Sequence, residues 1–301
     1  MEAAIHTLSS SAELAEKRSW TAYGELLKPR LTLLVLLTTL VGFYLGFRGP
    51  MDYLLMLHTL LGTALVAGGA AALNQLLERE HDAKMHRTAG RPLPTGRLTP
   101  NAVLIYGGVC AGAGLIYLAL AVNVLTGFLG AMTFVLYVLV YTPLKRRTWL
   151  NTAIGAIPGA LPPLMGWTAA RNEITPEGWV LFAILCFWQL PHFLAIAWIY
   201  RAEYAKAGYV MLPVVDPEGH RTGRQAVSHA LGLLPIALFP FLLRLTGPVY
   251  LGGAVVLGLI YLGCAVQFSR RLTVPSARRL FYASIVYLPL LLTLMVLDKV
   301  R

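Results

Sequence analysis

The chain has 301 residues, of which 57% are hydrophobic and 13% are charged, and its mean hydropathy is +0.64. An ordinary soluble domain carries about 25% charged residues, so this composition excludes a disordered chain and argues against a soluble enzyme. The formal net charge is +11, but no RNA- or DNA-binding motif accompanies the basic residues. The composition therefore predicts a polytopic helical membrane protein that does not bind nucleic acid.

Residues 1–26 are mixed and polar, and they predict a cytosolic N-terminal segment rather than a signal peptide. Residues 27–301 are predicted to form a single domain. Charge-poor blocks of about 20 residues, each long enough to cross a bilayer as a helix, indicate nine spans. They lie near residues 28–47, 53–77, 101–121, 124–143, 150–170, 178–200, 226–243, 249–268 and 280–297.

The boundary between the third and fourth spans follows from length. Residues 101–144 contain no charged side chain, and as one helix they would extend about 66 Å, whereas the bilayer core is about 30 Å thick. We therefore predict two spans joined by a tight turn near residues 122–123.

Lysine and arginine are distributed unevenly between the two sides of this nine-span arrangement. Of the 25 such residues, 20 fall on the side of the N-terminus and five on the other side. Because cytoplasmic loops are rich in these residues, we expect a cytosolic N-terminus and a C-terminus outside. The absence of an Arg- and Ser-rich transit pattern favours a bacterial plasma membrane. The long inner loops, residues 78–100 and 201–225, predict chemistry at the inner face.

Three side chains with oxygen atoms lie at the end of the second span. Asn74, Glu78 and Asp82 are four residues apart, so on a helix they share one face. An amide and two carboxylates suit Mg²⁺, which takes few protein ligands and leaves positions for phosphate oxygens. The alternative is a solvated helix end in which Arg79 and Lys84 pair with the acids.

Basic residues follow directly after this stripe of oxygen atoms. Lys84, Arg87, Arg91 and Arg97 lie within one segment stiffened by Pro and Gly, and arginine binds phosphate oxygens through paired hydrogen bonds. Metal-binding acids followed by anion-binding bases predict a site for a metal–diphosphate ligand. The positive-inside rule alone explains the bases but not the aligned oxygens.

The fifth and sixth spans also carry unusual residues. The fifth begins after a basic cluster at residues 145–147 and contains repeated Gly and Pro. Irregular backbone at membrane depth is tolerated only where it is buried in protein or lines a cavity, so this span is predicted to face a pocket. His192 follows Pro191 in the sixth span. A histidine inside a membrane is a functional candidate, and a hydrogen-bonded structural histidine is the alternative.

These segments resemble the UbiA superfamily of intramembrane prenyltransferases. The resemblance is carried by NxxxExxxD and MxRTxxRPLPTG within residues 74–96, by residues 145–167 and by residues 188–214. The PHF and AG-x-x-MLPV elements are similar to the branch of the superfamily that farnesylates heme. The implied fold is all-α, with nine transmembrane helices bundled around a central cavity that opens to the cytosolic face.

The resemblance implies a transferase that moves the farnesyl group of farnesyl diphosphate to a vinyl group of heme B. Water adds and diphosphate leaves, which gives heme O for terminal oxidases. The implied cofactor is Mg²⁺, and heme B is a substrate. The implied partners are farnesyl diphosphate, heme B, membrane lipid, and heme A synthase or the terminal oxidase assembly machinery.

The motifs and the resemblance together assign roles to individual residues. The metal ligands are predicted to be Asn74, Glu78 and Asp82, and the predicted catalytic residues are these three with Arg87 and Arg91. The predicted diphosphate-binding residues are Lys84, Arg87, Arg91, Lys145, Arg146, Asn151 and Arg201. The heme or prenyl pocket is predicted to contain Tyr141, Trp188, His192, Tyr200 and Glu203, with Tyr137 and Phe187 as further aromatic candidates.

One region departs from the superfamily pattern. Relatives usually carry a second aspartate-rich motif after the sixth span, and here that region reads Tyr200-Arg201-Ala202-Glu203-Tyr204, with a single acid. We therefore expect Arg201 to contact diphosphate where relatives use another Mg²⁺.

Two other functions fit parts of the pattern. A prenyltransferase for a quinone precursor would accept an aromatic acid and retain no heme. A transporter would use broken helices near the midplane and show two related halves, but the sequence has no internal repeat and its oxygen stripe lies at the inner rim.

Overall fold

The computed structural model describes residues 20–300, which are helical apart from connecting loops and one antiparallel bridge between Thr246 and Lys299. The nine long helices in this part of the chain are α1 Pro29–Gly46, α2 Tyr53–Asp82, α3 Pro100–Ala121, α4 Val124–Leu144, α5 Asn151–Arg171, α6 Pro176–Ile199, α7 His220–Leu242, α8 Pro248–Arg271 and α9 Val274–Leu297. Short helices cover residues 20–26, Arg201–Lys206 and Leu212–Val215.

Eight of these helices, all except α5, are long and apolar enough to cross a membrane. The predicted class, an all-α multi-pass membrane protein, is therefore confirmed. Helix α5 is less apolar because Gly, Thr and three internal prolines occupy much of its length. Most of α5 is buried, and it packs against α1, α2, α4 and α6. It is the central helix of the bundle.

The turn between α3 and α4 lies where its sequence predicts it. Helix α3 ends at Ala121 and α4 begins at Val124. The Asn123 side-chain oxygen accepts a hydrogen bond from the Thr126 amide at 2.8 Å, which caps the start of α4. The Asn123 side-chain amide donates to the Thr168 carbonyl at 2.9 Å, so the same residue also ties the turn to α5.

Helices α1 and α5 touch through their backbones. A Cβ atom added to Gly42 of α1 would lie 2.0 Å from the carbonyl oxygen of Pro163 on α5. A Cβ atom added to Gly166 of α5 would lie 1.9 Å from the carbonyl oxygen of Thr39 on α1. Small residues allow membrane helices to approach this closely, where packing rather than the hydrophobic effect drives association. The contact holds α1 against the central helix, which forms one wall of the cavity described below.

We expect Gly166→Ala to destabilise the fold, because a methyl group cannot lie 1.9 Å from a carbonyl oxygen and α1 must move away from α5. Overpacking of this kind costs about 1–3 kcal/mol, measurable as a lower midpoint of thermal denaturation in detergent. Gly112→Ala on α3 is the matched control, since a Cβ there meets nothing within 4 Å. Equal midpoints for the two variants would contradict the close contact.

Candidate active site

A cavity of about 440 Å³ lies between α1, α2, α4, α5 and α6. This volume falls within the range of about 300–1,000 Å³ that is usual for small-molecule sites. Most of its wall is apolar, and its charged residues gather around the end of α2. Prolines and glycines of α5, including Pro158, Gly159 and Pro162, form part of the wall. The expectation that the irregular fifth helix faces a pocket is confirmed.

The three oxygen-bearing side chains of α2 all line this cavity. Asn74, Glu78 and Asp82 are 1%, 6% and 2% exposed. Each accepts a hydrogen bond from a basic residue elsewhere in the chain: Asn74 from Lys28 at 2.7 Å, Glu78 from Lys145 at 2.7 Å and Asp82 from Arg91 at 2.6 Å.

The alternative of a solvated helix end is wrong. Glu78 and Asp82 are buried. Arg79, which could have paired with them, instead contacts the exposed Glu80 at 3.3 Å.

Positive charge exceeds negative charge around the cavity. Four basic side chains line it, whereas its only carboxylates among the described residues are Glu78 and Asp82. The four are Lys28, Arg87, Arg91 and Lys145. The site is therefore suited to an anionic ligand with several oxygen atoms, such as a diphosphate.

The two lysines respond differently to burial. Burial, together with the positive charge of Arg91, lowers the pKa of Lys28 to about 7. The hydrogen-bond partner of Lys28 is the uncharged amide of Asn74, which does not offset this effect as a carboxylate would. Burial acts most strongly on Lys145 and tends to lower its pKa, but the Glu78 carboxylate and the neighbouring tyrosines together hold that pKa well above its usual value. Lys145 is therefore a firmly charged member of a buried ion pair.

The donor atoms on α2 determine which metal they fit. Within residues 20–300, no group of three or more His, Cys, Asp and Glu side chains is arranged to hold a metal ion. Asn74, Glu78 and Asp82 instead offer one amide and two carboxylate oxygens. Mg²⁺ is typically held by one or two carboxylates together with substrate phosphates, whereas zinc prefers nitrogen and sulfur.

Aromatic side chains cover the cavity beyond its charged end. Tyr137 and Tyr141 stack with ring centroids 5.7 Å apart, and both belong to the π-helical segment Leu136–Tyr141 within α4. Such segments occur often at functional sites. The Lys145 ammonium lies 4.6 Å from the centre of the Tyr141 ring. Trp188 and His192 also line the cavity from α6.

The model of the UbiA prenyltransferase family matches residues 35–288, which is most of the chain. The chain belongs to the UbiA prenyltransferase family. The family predicted from the motifs is confirmed, as is the class of enzyme, a prenyltransferase.

Individual relatives agree with this assignment. A protoheme IX farnesyltransferase from Solibacter usitatus (strain Ellin6076) is 49% identical over 286 residues, which cover 92% of this chain and 98% of the relative. A solved structure from work on digeranylgeranylglyceryl phosphate synthase in membranes has a TM-score of 0.79 at 15% identity, covering 93% and 98% of the two chains. A UbiA homologue from Archaeoglobus fulgidus bound to DMAPP and Mg²⁺ has a TM-score of 0.68 at 19% identity, covering 90% and 99%. The two structures show the shared fold.

Some predicted site residues of this UbiA prenyltransferase lie outside the cavity wall. Tyr200 and Glu203 instead surround Arg87: its backbone amide donates to Glu203 at 3.4 Å, and its guanidinium lies 5.3 Å from the centre of the Tyr200 ring. The guanidinium also donates to the Tyr204 hydroxyl at 3.2 Å. These contacts fix the position of Arg87, and Tyr204 itself lines the cavity.

Four predicted diphosphate ligands also lie away from the wall. Lys84 and Arg146 are exposed, and Arg201 lies with its guanidinium 4.2 Å from the Trp198 ring centre. The Asn151 side chain donates to the Val210 carbonyl at 2.8 Å and so anchors the loop after the sixth helix. The aromatic candidate Phe187 does not line the cavity; its ring packs at a tilt against that of His229, with centroids 5.8 Å apart.

Lys28 and Tyr209 are two possible ligand-binding residues of the cavity that the set predicted from the sequence does not contain. In the sequence, Lys28 is one of the basic residues on the side of the N-terminus, and no local motif marks its contact with Asn74. Tyr209 occupies one of the unspecified positions of the AG-x-x-MLPV element, and its buried hydroxyl has no hydrogen-bond partner among residues 20–300. Burial raises the pKa of Tyr209, so its hydroxyl is kept protonated and is available to donate to a ligand.

We expect Lys145→Met to lower stability by about 3–5 kcal/mol, because it leaves the Glu78 carboxylate buried and unpaired. The double variant Lys145→Met with Glu78→Gln removes both charges, so its loss of stability is expected to be smaller than the sum of the single losses. Denaturation midpoints in detergent measure the coupling.

The exposed pair Arg79 and Glu80 provides the control for this cycle, since its side chains are 45% and 75% exposed. Its coupling is expected to stay below about 1 kcal/mol. If the stability lost in the double variant equalled the sum of the losses in Lys145→Met and Glu78→Gln, the buried ion pair would be contradicted.

Proposed function

We propose that the chain converts heme B to heme O by transferring the farnesyl group of farnesyl diphosphate to a heme vinyl group. The observation that carries this proposal is a single cavity with two kinds of wall. One end combines buried oxygens with four basic side chains, and the rest is mostly apolar and aromatic, with one histidine in the described wall. The 49% identical Solibacter relative, named for this activity, supports the choice of substrates.

We infer that Mg²⁺ is held by Asn74, Glu78 and Asp82, whose oxygen donors fit this ion. The Mg²⁺ named for the Archaeoglobus homologue of the same fold supports this inference. When bound, the ion supplies positive charge to the diphosphate. The three bases that now contact these oxygens then become available to the diphosphate. These bases are Lys28, Arg91 and Lys145.

Of the residues predicted to bind diphosphate, we retain those that line the cavity, and we add Lys28 and Tyr209. The resulting set comprises Lys28, Arg87, Arg91, Lys145 and the neutral donor Tyr209. Glu203 and Tyr200 act by holding Arg87. Asn151 acts by anchoring the loop that carries Tyr209, whereas Arg201, Lys84 and Arg146 contribute to the positive charge of the inner surface.

The chain assists the reaction chiefly through charge and exclusion of water. As the allylic C–O bond breaks, its electron pair passes to the diphosphate, and the surrounding arginines and lysines stabilise the growing negative charge. The vinyl π electrons then form a bond to the farnesyl carbon. Water adds to the resulting cation and loses a proton, which completes the hydroxyethylfarnesyl group.

Aromatic faces stabilise the positive charge that develops on the farnesyl group. Tyr137, Tyr141 and Trp188 line the apolar part of the cavity. A desolvated cation–π contact contributes roughly 2 kcal/mol. The apolar wall also keeps water away from the allylic cation until the new carbon–carbon bond has formed.

We further propose that α5 crosses the membrane with the other eight helices, which makes nine spans in a single domain of residues 27–301. The N-terminus then lies in the cytosol and the C-terminus outside, in a bacterial plasma membrane. The cavity opens to the cytosolic face, because its charged end lies beside the loops after Asp82 and after Ile199. Heme A synthase or the oxidase assembly machinery would receive the product.

The activity is tested by incubating purified protein with heme B, farnesyl diphosphate and Mg²⁺, and by detecting the farnesyl-plus-water adduct by mass spectrometry. We expect Asp82→Ala to slow its formation about 10²–10³-fold, the usual cost of losing one group that stabilises a developing charge. Removal of divalent ions with EDTA is expected to stop the wild-type reaction.

Glu80→Gln is the matched control, because Glu80 is exposed on the same helix and its side chain pairs with Arg79 at the surface; the rate of this variant is expected to equal that of wild type. No heme adduct from folded wild-type protein, together with prenylation of an aromatic acid, would replace the proposal with the quinone-precursor reaction. Normal turnover by Asp82→Ala would remove the metal assignment while leaving the reaction.

The topology is tested by reporter fusions at the C-terminus. Nine spans and a cytosolic N-terminus place the C-terminus outside, so alkaline phosphatase fused after residue 301 is expected to be active, and green fluorescent protein fused there dark. Fusions after residue 147, on the inner side, are expected to give the reverse. A fluorescent C-terminal fusion would contradict the odd number of spans.

A further inference from the structure

The imidazole of His192 is held rigidly in the cavity wall. Its ring stacks on Trp188 at 5.2 Å and on Phe281 at 5.1 Å, measured between ring centroids. Its Nδ1 atom lies 2.6 Å from the Ser284 hydroxyl oxygen on α9. The Ser284 hydroxyl in turn donates to the Phe281 carbonyl at 2.5 Å. The ring is therefore held by two stacked aromatic neighbours and by a hydrogen bond at one edge.

This hydrogen-bond network sets the tautomer of the ring. The single hydrogen of the Ser284 hydroxyl is used in the bond to the Phe281 carbonyl. Ser284 must then accept a hydrogen bond from His192, so Nδ1 carries the proton of the neutral imidazole. Nε2 consequently has a free lone pair, because a neutral imidazole bears a hydrogen on only one of its nitrogens.

The free Nε2 atom has no hydrogen-bond partner among residues 20–300. His192 lines the cavity, and it is the only histidine there, with no cysteine thiol beside it in the described wall. It lies seven residues before the inner end of α6, about 10 Å along the helix axis. An unprotonated imidazole nitrogen in an apolar wall is a good ligand for iron.

We propose that His192 Nε2 coordinates the iron of the heme substrate and that Ser284 is the positioning residue that presents it. This inference rests on the proposed function, in which heme B is the acceptor. A hydrogen bond to the second nitrogen of a metal-binding histidine fixes the orientation of its ring and raises its basicity. Coordination would anchor the porphyrin at the apolar end of the cavity, away from the diphosphate.

Heme B titration in detergent, without farnesyl diphosphate, tests both residues. Resonance Raman spectra of the ferrous complex are expected to show an iron–imidazole stretch in wild type, to lose it in His192→Ala and to regain it with added imidazole. Ser284→Ala is expected to weaken heme binding about tenfold and to shift that stretch. Ser284→Thr, which keeps the hydroxyl, is expected to restore both.

His58→Ala is the control, because His58 also lies in a predicted span and has its Nδ1 2.6 Å from a hydroxyl, that of Tyr117, but does not line the cavity. Its spectrum and heme affinity are expected to match wild type. If His192→Ala is unstable, His192→Gln replaces it, since the amide can keep the hydrogen bond to Ser284 without offering an imidazole.

An unchanged iron–imidazole stretch in the His192 variant would overturn the proposal, and unchanged affinity and stretch in Ser284→Ala would overturn the role of Ser284. The proposed function is judged separately, by whether wild type forms farnesylated heme. If wild type forms farnesylated heme and the His192 variant keeps the iron–imidazole stretch, only the proposed coordination by His192 is overturned. Wild type that neither binds heme nor forms product would defeat both.

Discussion

The structure depends on the pairing of charge at the inner end of α2. Two carboxylates buried there would cost several kcal/mol each if left unpaired. Lys145 and Arg91 provide the partners, from the segment after α4 and the loop after α2. Both segments must therefore lie over the end of α2. The electrostatic requirement thus brings together the loops that surround the charged end of the cavity.

The central helix provides the space that these charges surround. Gly166 of α5 lies against the backbone of α1, while Pro158, Gly159 and Pro162 of the same helix line the cavity. Small and ring-constrained side chains let one helix pack closely on one side and leave room on the other. The same residues reduce the apolarity of α5, which is why its sequence looks unlike that of its neighbours.

Local patterns predicted those features that are set by local geometry. The shared face of Asn74, Glu78 and Asp82 follows from helical spacing, and the turn capped by Asn123 follows from helix length and bilayer thickness. The contact between Lys28 and Asn74 joins residues 46 positions apart and depends on how α1 packs. The direction of the Arg201 side chain likewise depends on the nearby Trp198 ring, which a motif position does not reveal.

The cavity therefore has two ends with different physical requirements. The charged end needs more basic side chains than carboxylates, so that an excess of positive charge remains for the ligand. It suits any allylic diphosphate. The imidazole end needs a neutral ring with one unprotonated nitrogen. Ser284, which lies 92 residues from His192 in the sequence, fixes the required tautomer through its hydrogen bond to Nδ1. Because diphosphate is common to prenyl donors, the charged end alone does not select the acceptor. Selection of heme is then expected to reside in the α6–α9 contact, where a carbonyl, a hydroxyl and two aromatic rings hold a single imidazole.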